Sequence, residues 1–134
     1  MRVLGVDFGT KRIGIAVGDS ELGIASARST FPASGSLAKD ADAIQKLAKQ
    51  EGAEAVVVGV PLNPEGSDRM HQVCLQLAGR IEQLGFQVFT VDERLSSFEG
   101  EENLKTVFRP SAARRHIDAE AARLILERFF RGER

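Results

Sequence analysis

Three carboxylates lie next to apolar stretches of the chain, where a charged side chain is unfavourable without a partner. Asp7 ends the apolar run RVLGVD, Glu93 follows the run VFTVD, and Asp118 lies in HIDAEAARLIL. A buried carboxylate is costly unless a cation, a hydrogen-bond network or a metal ion compensates it. Brought together, the three would form a site of hard oxygen ligands, which Mg²⁺ and Mn²⁺ prefer. Two such ions about 4 Å apart can activate water and stabilise the leaving oxygen of a phosphodiester.

Each carboxylate also has an ordinary structural explanation. Asp7 could accept hydrogen bonds from amides of the turn GTKR, and Glu93 could pair with Arg94 at the surface, where ion pairs contribute little. Asp118 could cap a helix. The functional interpretation is preferred because the strand around Asp7 is apolar and Glu93 marks the entry of a strand into a loop. In addition, Asp118 shares one helical face with three apolar residues: Ala122, Ile125 and Phe129.

Hydrophobic periodicity predicts the elements that position these acids. Short apolar runs predict strands over 2–8, 13–19, 23–31, 53–61 and 86–94, and the spacing predicts helices over 37–51, 67–84, 97–106 and 116–130. This order favours an α/β fold with a mixed five-stranded sheet, a three-strand antiparallel meander plus two parallel strands, flanked by helices. Ligands of such sheets bind at the carboxyl ends of the parallel strands, where Asp7 and Glu93 are expected.

Small residues give further local predictions. Gly5 and Gly14 remove side chains from neighbouring strands, which predicts a close approach by another element. Ser36 is expected to cap the helix at 37–51, and Gly52 to end it. Gly85 is expected to end the helix at 67–84.

Composition limits the class of protein. The 134 residues, 43% hydrophobic and 28% charged, suit one folded domain spanning 1–134. A single cysteine, Cys74, allows no internal disulfide, and neither a signal peptide nor a membrane span is predicted, so a cytoplasmic location is expected. The absence of tyrosine excludes a tyrosine nucleophile. Only two histidines are present, which excludes a histidine-rich metal site.

Charge is distributed unevenly along the second half of the chain. Residues 109–134 contain seven arginines and four acidic residues, whereas residues 92–105 have a net charge of −3. An acidic cluster beside a basic segment suits a metal site next to a phosphate track, although a solvated helix surface explains it equally well. The candidate nucleic-acid contacts, for which surface charge or turn chemistry is the alternative, are Lys11, Arg12, Asn63, Ser67, Arg94, Arg114 and Arg115.

Four ordered motifs extend this interpretation to a family. LGVDFGTKRIGIAVGD, VVVGVPLNPEGS, VDERLSS and HIDAEAA together resemble the YqgF family, also called RuvX, over nearly the whole chain. The resemblance implies an RNase H-like fold similar to RuvC-type Holliday junction resolvases, with Asp7, Glu93 and Asp118 as metal-binding catalytic acids. Family members are described as nucleases of pre-16S ribosomal RNA and as junction resolvases. This sequence departs from the family pattern at two places that concern substrate binding. The basic stretch before Asp118 is shortened, and Ser96-Ser97 replaces a threonine pair.

The resulting expectation is a nuclease dependent on two Mg²⁺ or Mn²⁺ ions that processes the 5′ end of pre-16S ribosomal RNA. The alternative is a resolvase of four-way DNA junctions, whose two-fold symmetry requires a homodimer, whereas an RNA-trimming enzyme could be a monomer. A non-catalytic nucleic-acid-binding module is a third possibility. DFGT is also similar to the phosphate loop of actin-like ATPases and sugar kinases, but those proteins need two lobes and this chain has the length of one.

Overall fold

A computed structural model describes residues 1–61, 69–92 and 110–132, the last range without the side chains of 110–116. Its strands are β1 (Arg2–Phe8), β2 (Arg12–Asp19), β3 (Ile24–Pro32), β4 (Ala55–Val60) and β5 (Gln87–Asp92). Its helices are α1 (Leu37–Gln50), α2 (Arg69–Gln83) and α3 (Pro110–Phe130). The predicted helix at 97–106 lies outside the described residues.

The five strands form one sheet in the order β3-β2-β1-β4-β5. The pairs β1–β2 and β2–β3 are antiparallel, whereas β1–β4 and β4–β5 are parallel. This arrangement confirms the predicted meander with two added parallel strands. Strand β4, with the sequence AVVVGV, is buried along its whole length, as expected for a parallel strand covered on both faces.

Helix boundaries follow the predicted capping residues, with one difference. The Ser36 side chain accepts a hydrogen bond from the Lys39 backbone N–H, and Gly52 and Gly85 take positive φ values of 70° and 106° just after α1 and α2. The last helix, however, begins at Pro110 rather than at the predicted residue 116. Proline suits a first helical position because its missing N–H would have no helical partner there.

The sheet separates two apolar layers. Alternation along β1 sends Leu4 and Val6 to the face covered by α1 and α2, where Ile44 and Leu77 complete the core. The opposite face packs against α3 through a set of buried residues: Val3, Ala16, Ala55, Val57, Val91, Ala122, Ile125 and Leu126. Among the described residues, no helix is both long and apolar enough to cross a membrane.

Candidate functional site

Helix α3 lies directly on the backbone of the antiparallel strands, because those strands present glycines to it. A Cβ atom added to Gly14 would lie 2.1 Å from the backbone oxygen of Asp118. A Cβ at Gly5 would lie 2.6 Å from Leu126 Cγ, and one at Gly18 would lie 2.8 Å from Phe130 Cζ. Real Cβ contacts are essentially never shorter than 3.0 Å. The close approach predicted from Gly5 and Gly14 is therefore confirmed, and α3 is the element that makes it.

The same contact brings two of the predicted acids together. Asp7 on β1 pairs directly with Gly14 on β2. Residues opposite each other in an antiparallel pair project to the same face of the sheet, with Cα atoms about 4.5–5.5 Å apart. Asp7 therefore shares the α3 side of the sheet with Gly14, on which the Asp118 backbone rests. Asp7 and the Asp118 backbone, 111 positions apart in the chain, therefore both lie next to Gly14.

The carboxylate of Asp118 is held by an arginine from the β1–β2 hairpin. Arg12 Nε donates a hydrogen bond to Asp118 Oδ2 at 2.6 Å, a short charge-assisted contact. The side chain of Asp118 is 17% exposed and that of Arg12 is 31% exposed. Because Asp118 lies well inside α3, which begins at Pro110, the explanation of Asp118 as a helix cap is wrong.

This ion pair gives Arg12 a partner that the sequence did not indicate. The sequence predicts that Arg12 contacts substrate phosphates, and the structure places its Nε against Asp118. Its neighbour Lys11 is exposed, and the Lys11 carbonyl accepts a hydrogen bond from the Ala33 N–H at 2.9 Å. Contact of either cation with nucleic acid stays a prediction.

The other predicted site residues are not described at the level of their side chains. Glu93, Arg94, Asn63 and Ser67 lie outside the described residues. Arg114 and Arg115 belong to α3, but their side chains are not described.

The end of β5, next to Glu93 in the sequence, is tied to α3. Arg128 Nη1 donates to the backbone oxygen of Asp92, the last residue of β5, at 3.2 Å. Sequence reasoning missed this link, since Arg128 is one of seven arginines in the last segment and nothing in its spacing distinguishes it. Across the sheet, Val6, Val58 and Thr90 form one register row, so Asp7 and Asp92 both lie at the carboxyl-end edge. This is the edge predicted to bind ligands.

The chemistry of these donors fits a hard divalent cation. Asp7 and Asp118 offer carboxylate oxygens, the ligand type that Mg²⁺ and Mn²⁺ prefer. Within residues 1–61, 69–92 and 110–132, no three histidine, cysteine or acidic side chains form a metal-binding group. The third predicted ligand, Glu93, is outside those ranges. Of the three predicted ligands, Asp7 and Asp118 lie among the described residues, and their role as ligands stays a prediction.

Comparison with known proteins gives the family. Residues 1–132 match the family model described as "RuvX: Holliday junction resolvase". The chain belongs to the RuvX family. A relative from Anaeromyxobacter dehalogenans (strain 2CP-C) is 42% identical over 132 residues, which cover 95% of this chain and 94% of the relative. One from Pseudomonas savastanoi pv. phaseolicola is 38% identical over 132 residues, covering 93% and 88%. Both relatives bear the name "Putative pre-16S rRNA nuclease".

Solved structures give the fold. Thermus thermophilus RuvC in complex with a Holliday junction substrate superimposes with a TM-score of 0.60, covering 98% of this chain and 94% of that one at 15% sequence identity. A second T. thermophilus RuvC structure gives a TM-score of 0.59 at 17% identity. The RuvX chain thus has the RNase H-like fold predicted from its motifs. Family membership places the chain in the nuclease class, as the sequence predicted.

Proposed function

We propose that this RuvX chain is a divalent-metal-dependent nuclease in which Asp7, Glu93 and Asp118 hold the ions and the single domain 1–134 carries the whole site. The observation that supports this most directly is that Asp7 pairs with Gly14 and the backbone of Asp118 packs on the same glycine. Two acids from different motifs share one face at the carboxyl-end edge of the sheet, where ligands of such sheets bind. Pairs of divalent ions are a common means of phosphodiester hydrolysis in nucleases. We propose two Mg²⁺ or Mn²⁺ ions here.

The chain's own residues define what the site does. Asp7 is fixed by the pairing of β1 with strands on both sides, and Asp118 by the contact of its backbone with Gly14, so both carboxylates are held on rigid elements. Bound divalent ions would activate a water molecule and stabilise the leaving oxygen of the phosphodiester. Lys11 and Arg12 on the hairpin, with Asn63, Ser67, Arg94, Arg114 and Arg115, would contact the nucleic acid and orient its backbone.

The proposed substrate is the 5′ extension of pre-16S ribosomal RNA, cut by a cytoplasmic enzyme during ribosome biogenesis. This proposal is supported by the name of relatives that are about 40% identical over almost their entire length. Cleavage of a four-way DNA junction is a second candidate. It is supported by the description of the family model and by the likeness of fold to RuvC. A resolvase would act as a homodimer because its substrate has two-fold symmetry, whereas the RNA nuclease could act as a monomer.

The test uses two labelled substrates, a ribosomal RNA precursor with its 5′ extension and a four-way DNA junction, each with Mg²⁺ and with Mn²⁺. Asp7→Asn and Asp118→Asn are expected to lower cleavage roughly a hundredfold or more, because metal stabilisation of charge contributes several kcal/mol. Asp42→Asn is the matched control, since Asp42 lies in α1 and its side chain is 48% exposed beside Lys46. A folded Asp7→Asn variant that cleaves at the wild-type rate would refute the assignment.

The pattern of cutting separates the two substrates. Trimming of the RNA alone would support the ribosomal role. Paired symmetric cuts in the junction alone would support the resolvase and require a dimer in sedimentation measurements. Cleavage of neither substrate, with either metal, would contradict the proposal of an independently active nuclease.

A further inference from the structure

The side chain of Arg12 extends from a fixed backbone position and is partly exposed. Its backbone is fixed, because Arg12 begins β2, pairs with Pro32 on β3, and accepts a hydrogen bond from the Gly9 N–H at 2.9 Å. Its contact with Asp118 uses Nε, whereas the two Nη atoms carry four further N–H donors. Because 31% of the side chain is exposed, part of Arg12 is accessible to an acceptor from solution.

Arg12 and a divalent ion would compete for the same carboxylate. The Arg12 guanidinium donates a hydrogen bond from Nε to Asp118 Oδ2 at 2.6 Å and supplies a positive charge. The hydrogen bond and the charge both oppose the binding of a second cation at Asp118. The same guanidinium binds phosphate well, because its planar donors match phosphate oxygens in a bidentate contact. A phosphate of the substrate is thus the alternative partner for Arg12.

We propose that Arg12 couples substrate binding to metal binding. In the free protein it neutralises Asp118. When nucleic acid binds, the guanidinium transfers to a backbone phosphate, and the Asp118 oxygens become available to the divalent ion. Arg12 is therefore a positioning residue that acts through Asp118, and the inference rests on the proposed metal-dependent nuclease. This coupling accommodates both the predicted contact of Arg12 with phosphate and its observed contact with Asp118, a proposed metal ligand.

The coupling has a thermodynamic consequence that can be measured without catalysis. If nucleic acid removes Arg12 from Asp118, it must increase the affinity of the chain for the metal, and the metal must increase the affinity for nucleic acid by the same factor. We expect a factor of about ten, which corresponds to about 1.4 kcal/mol. If Arg12 merely oriented Asp118 in every state, its removal would instead weaken metal binding.

The experiment measures Mn²⁺ binding to the full chain by calorimetry and by the loss of the free-Mn²⁺ electron paramagnetic resonance signal. Each titration is repeated with a saturating 2′-O-methyl phosphorothioate oligonucleotide, whose integrity is checked on a gel afterwards. In the wild type, the oligonucleotide is expected to lower the Kd for Mn²⁺ about tenfold. Arg12→Gln should bind Mn²⁺ more tightly than the wild type without the oligonucleotide, and the oligonucleotide should then change its Kd by less than about twofold.

Lys11→Gln is the matched control, because Lys11 is the adjacent and exposed cation of the same hairpin. It is expected to weaken oligonucleotide binding while leaving the Kd for Mn²⁺ and the coupling at saturation unchanged. Arg12→Lys retains the positive charge and replaces Arg12→Gln in the experiment if that variant fails to fold. In Arg12→Lys, the oligonucleotide should still lower the Kd for Mn²⁺, but by a smaller factor than in the wild type.

Two outcomes would overturn the inference: weaker Mn²⁺ binding by folded Arg12→Gln, or no effect of the oligonucleotide on Mn²⁺ binding by the wild type. Asp118→Asn separates this failure from failure of the proposed function. If Asp118→Asn binds Mn²⁺ as tightly as the wild type, Asp118 is not a metal ligand and both proposals fail. If Asp118→Asn binds weakly but the wild type shows no coupling, the coupling alone is wrong.

Discussion

Replacement of Gly14 by alanine tests how the site is assembled, without changing any charge. The added Cβ at this position would be 2.1 Å from the Asp118 carbonyl oxygen, 2.3 Å from its carbonyl carbon and 3.0 Å from Ala119 N. All three atoms belong to the backbone of α3, so no side-chain rotation relieves the clash. To restore a separation above 3.0 Å, α3 must move away from β2 by about 1 Å.

The cost of this movement follows from what α3 buries. Ile125 and Leu126 are both fully buried between α3 and the sheet, so a displaced helix loses part of their packing. Overpacking of a well-packed core costs about 1–3 kcal/mol. We expect Gly14→Ala to lower the free energy of unfolding by about 3 kcal/mol, at the upper end of that range, because the clash is with backbone atoms. Displacement of a catalytic group by about 1 Å can lower a rate about a hundredfold, so activity should fall with stability.

The assay is urea denaturation followed by far-ultraviolet circular dichroism, with cleavage measured where the variant is folded. Gly79→Ala is the matched control, because Gly79 lies in α2, has no positive φ, and an added Cβ would meet no atom within 4 Å beyond its chain neighbours and the adjacent backbone of its own helix. That substitution should stabilise the chain by up to about 1 kcal/mol, the helix-propensity difference between glycine and alanine. If Gly14→Ala unfolds at the wild-type urea concentration and cleaves at the wild-type rate, α3 does not need contact with the β2 backbone and the reasoning is wrong.

Three further predictions concern stability and metal dependence. Ile125→Ala should cost about 2–5 kcal/mol in urea denaturation, whereas Leu22→Ala, at a residue 71% exposed, should change stability by less than about 0.5 kcal/mol. Backbone N–H groups of Leu22 and then Glu21 lower the pKa of Asp19, so its stabilisation is present above its unfolded pKa, about 4, and is lost as pH falls through the lower folded value. The stability difference between wild type and Asp19→Asn should therefore shrink in acid melts, and a constant difference would contradict this. Chelation with EDTA should abolish cleavage, and Mn²⁺ should restore it; cleavage that survives chelation would contradict metal dependence.

The sheet was predictable because its signals are local. Each strand is a short apolar run bounded by turn residues, and the order of strands and helices leaves few topologies for five strands. Gly5 and Gly14 are also a local signal, because they indicate that another element approaches the strands closely. They do not identify that element as α3. Capping by Ser36 follows from one side chain and the helix it precedes.

The partner of Arg12 could not be predicted, since it lies 106 positions away in the chain. A cation in a glycine-containing turn near a carboxylate fits a phosphate contact as well as an ion pair, and sequence spacing does not separate these two acceptors. The choice depends on where α3 crosses the sheet. Two small residues of α3, Ala121 and Ala122, are almost fully buried and permit its close packing on the sheet.

Helix α3 also determines how the parts of the site are positioned relative to one another. It contacts β2 through the Asp118 backbone on Gly14, and β5 through Arg128 on the Asp92 carbonyl, so one helix connects two strands that lie on either side of Asp7 in the sheet. By contrast, Arg123 is part-buried on α3 and pairs with Glu120 and Glu127 of the same helix. Substitutions on the sheet-facing side of α3 should therefore change stability and cleavage together, whereas the loss of the Arg123 pairs should affect stability alone.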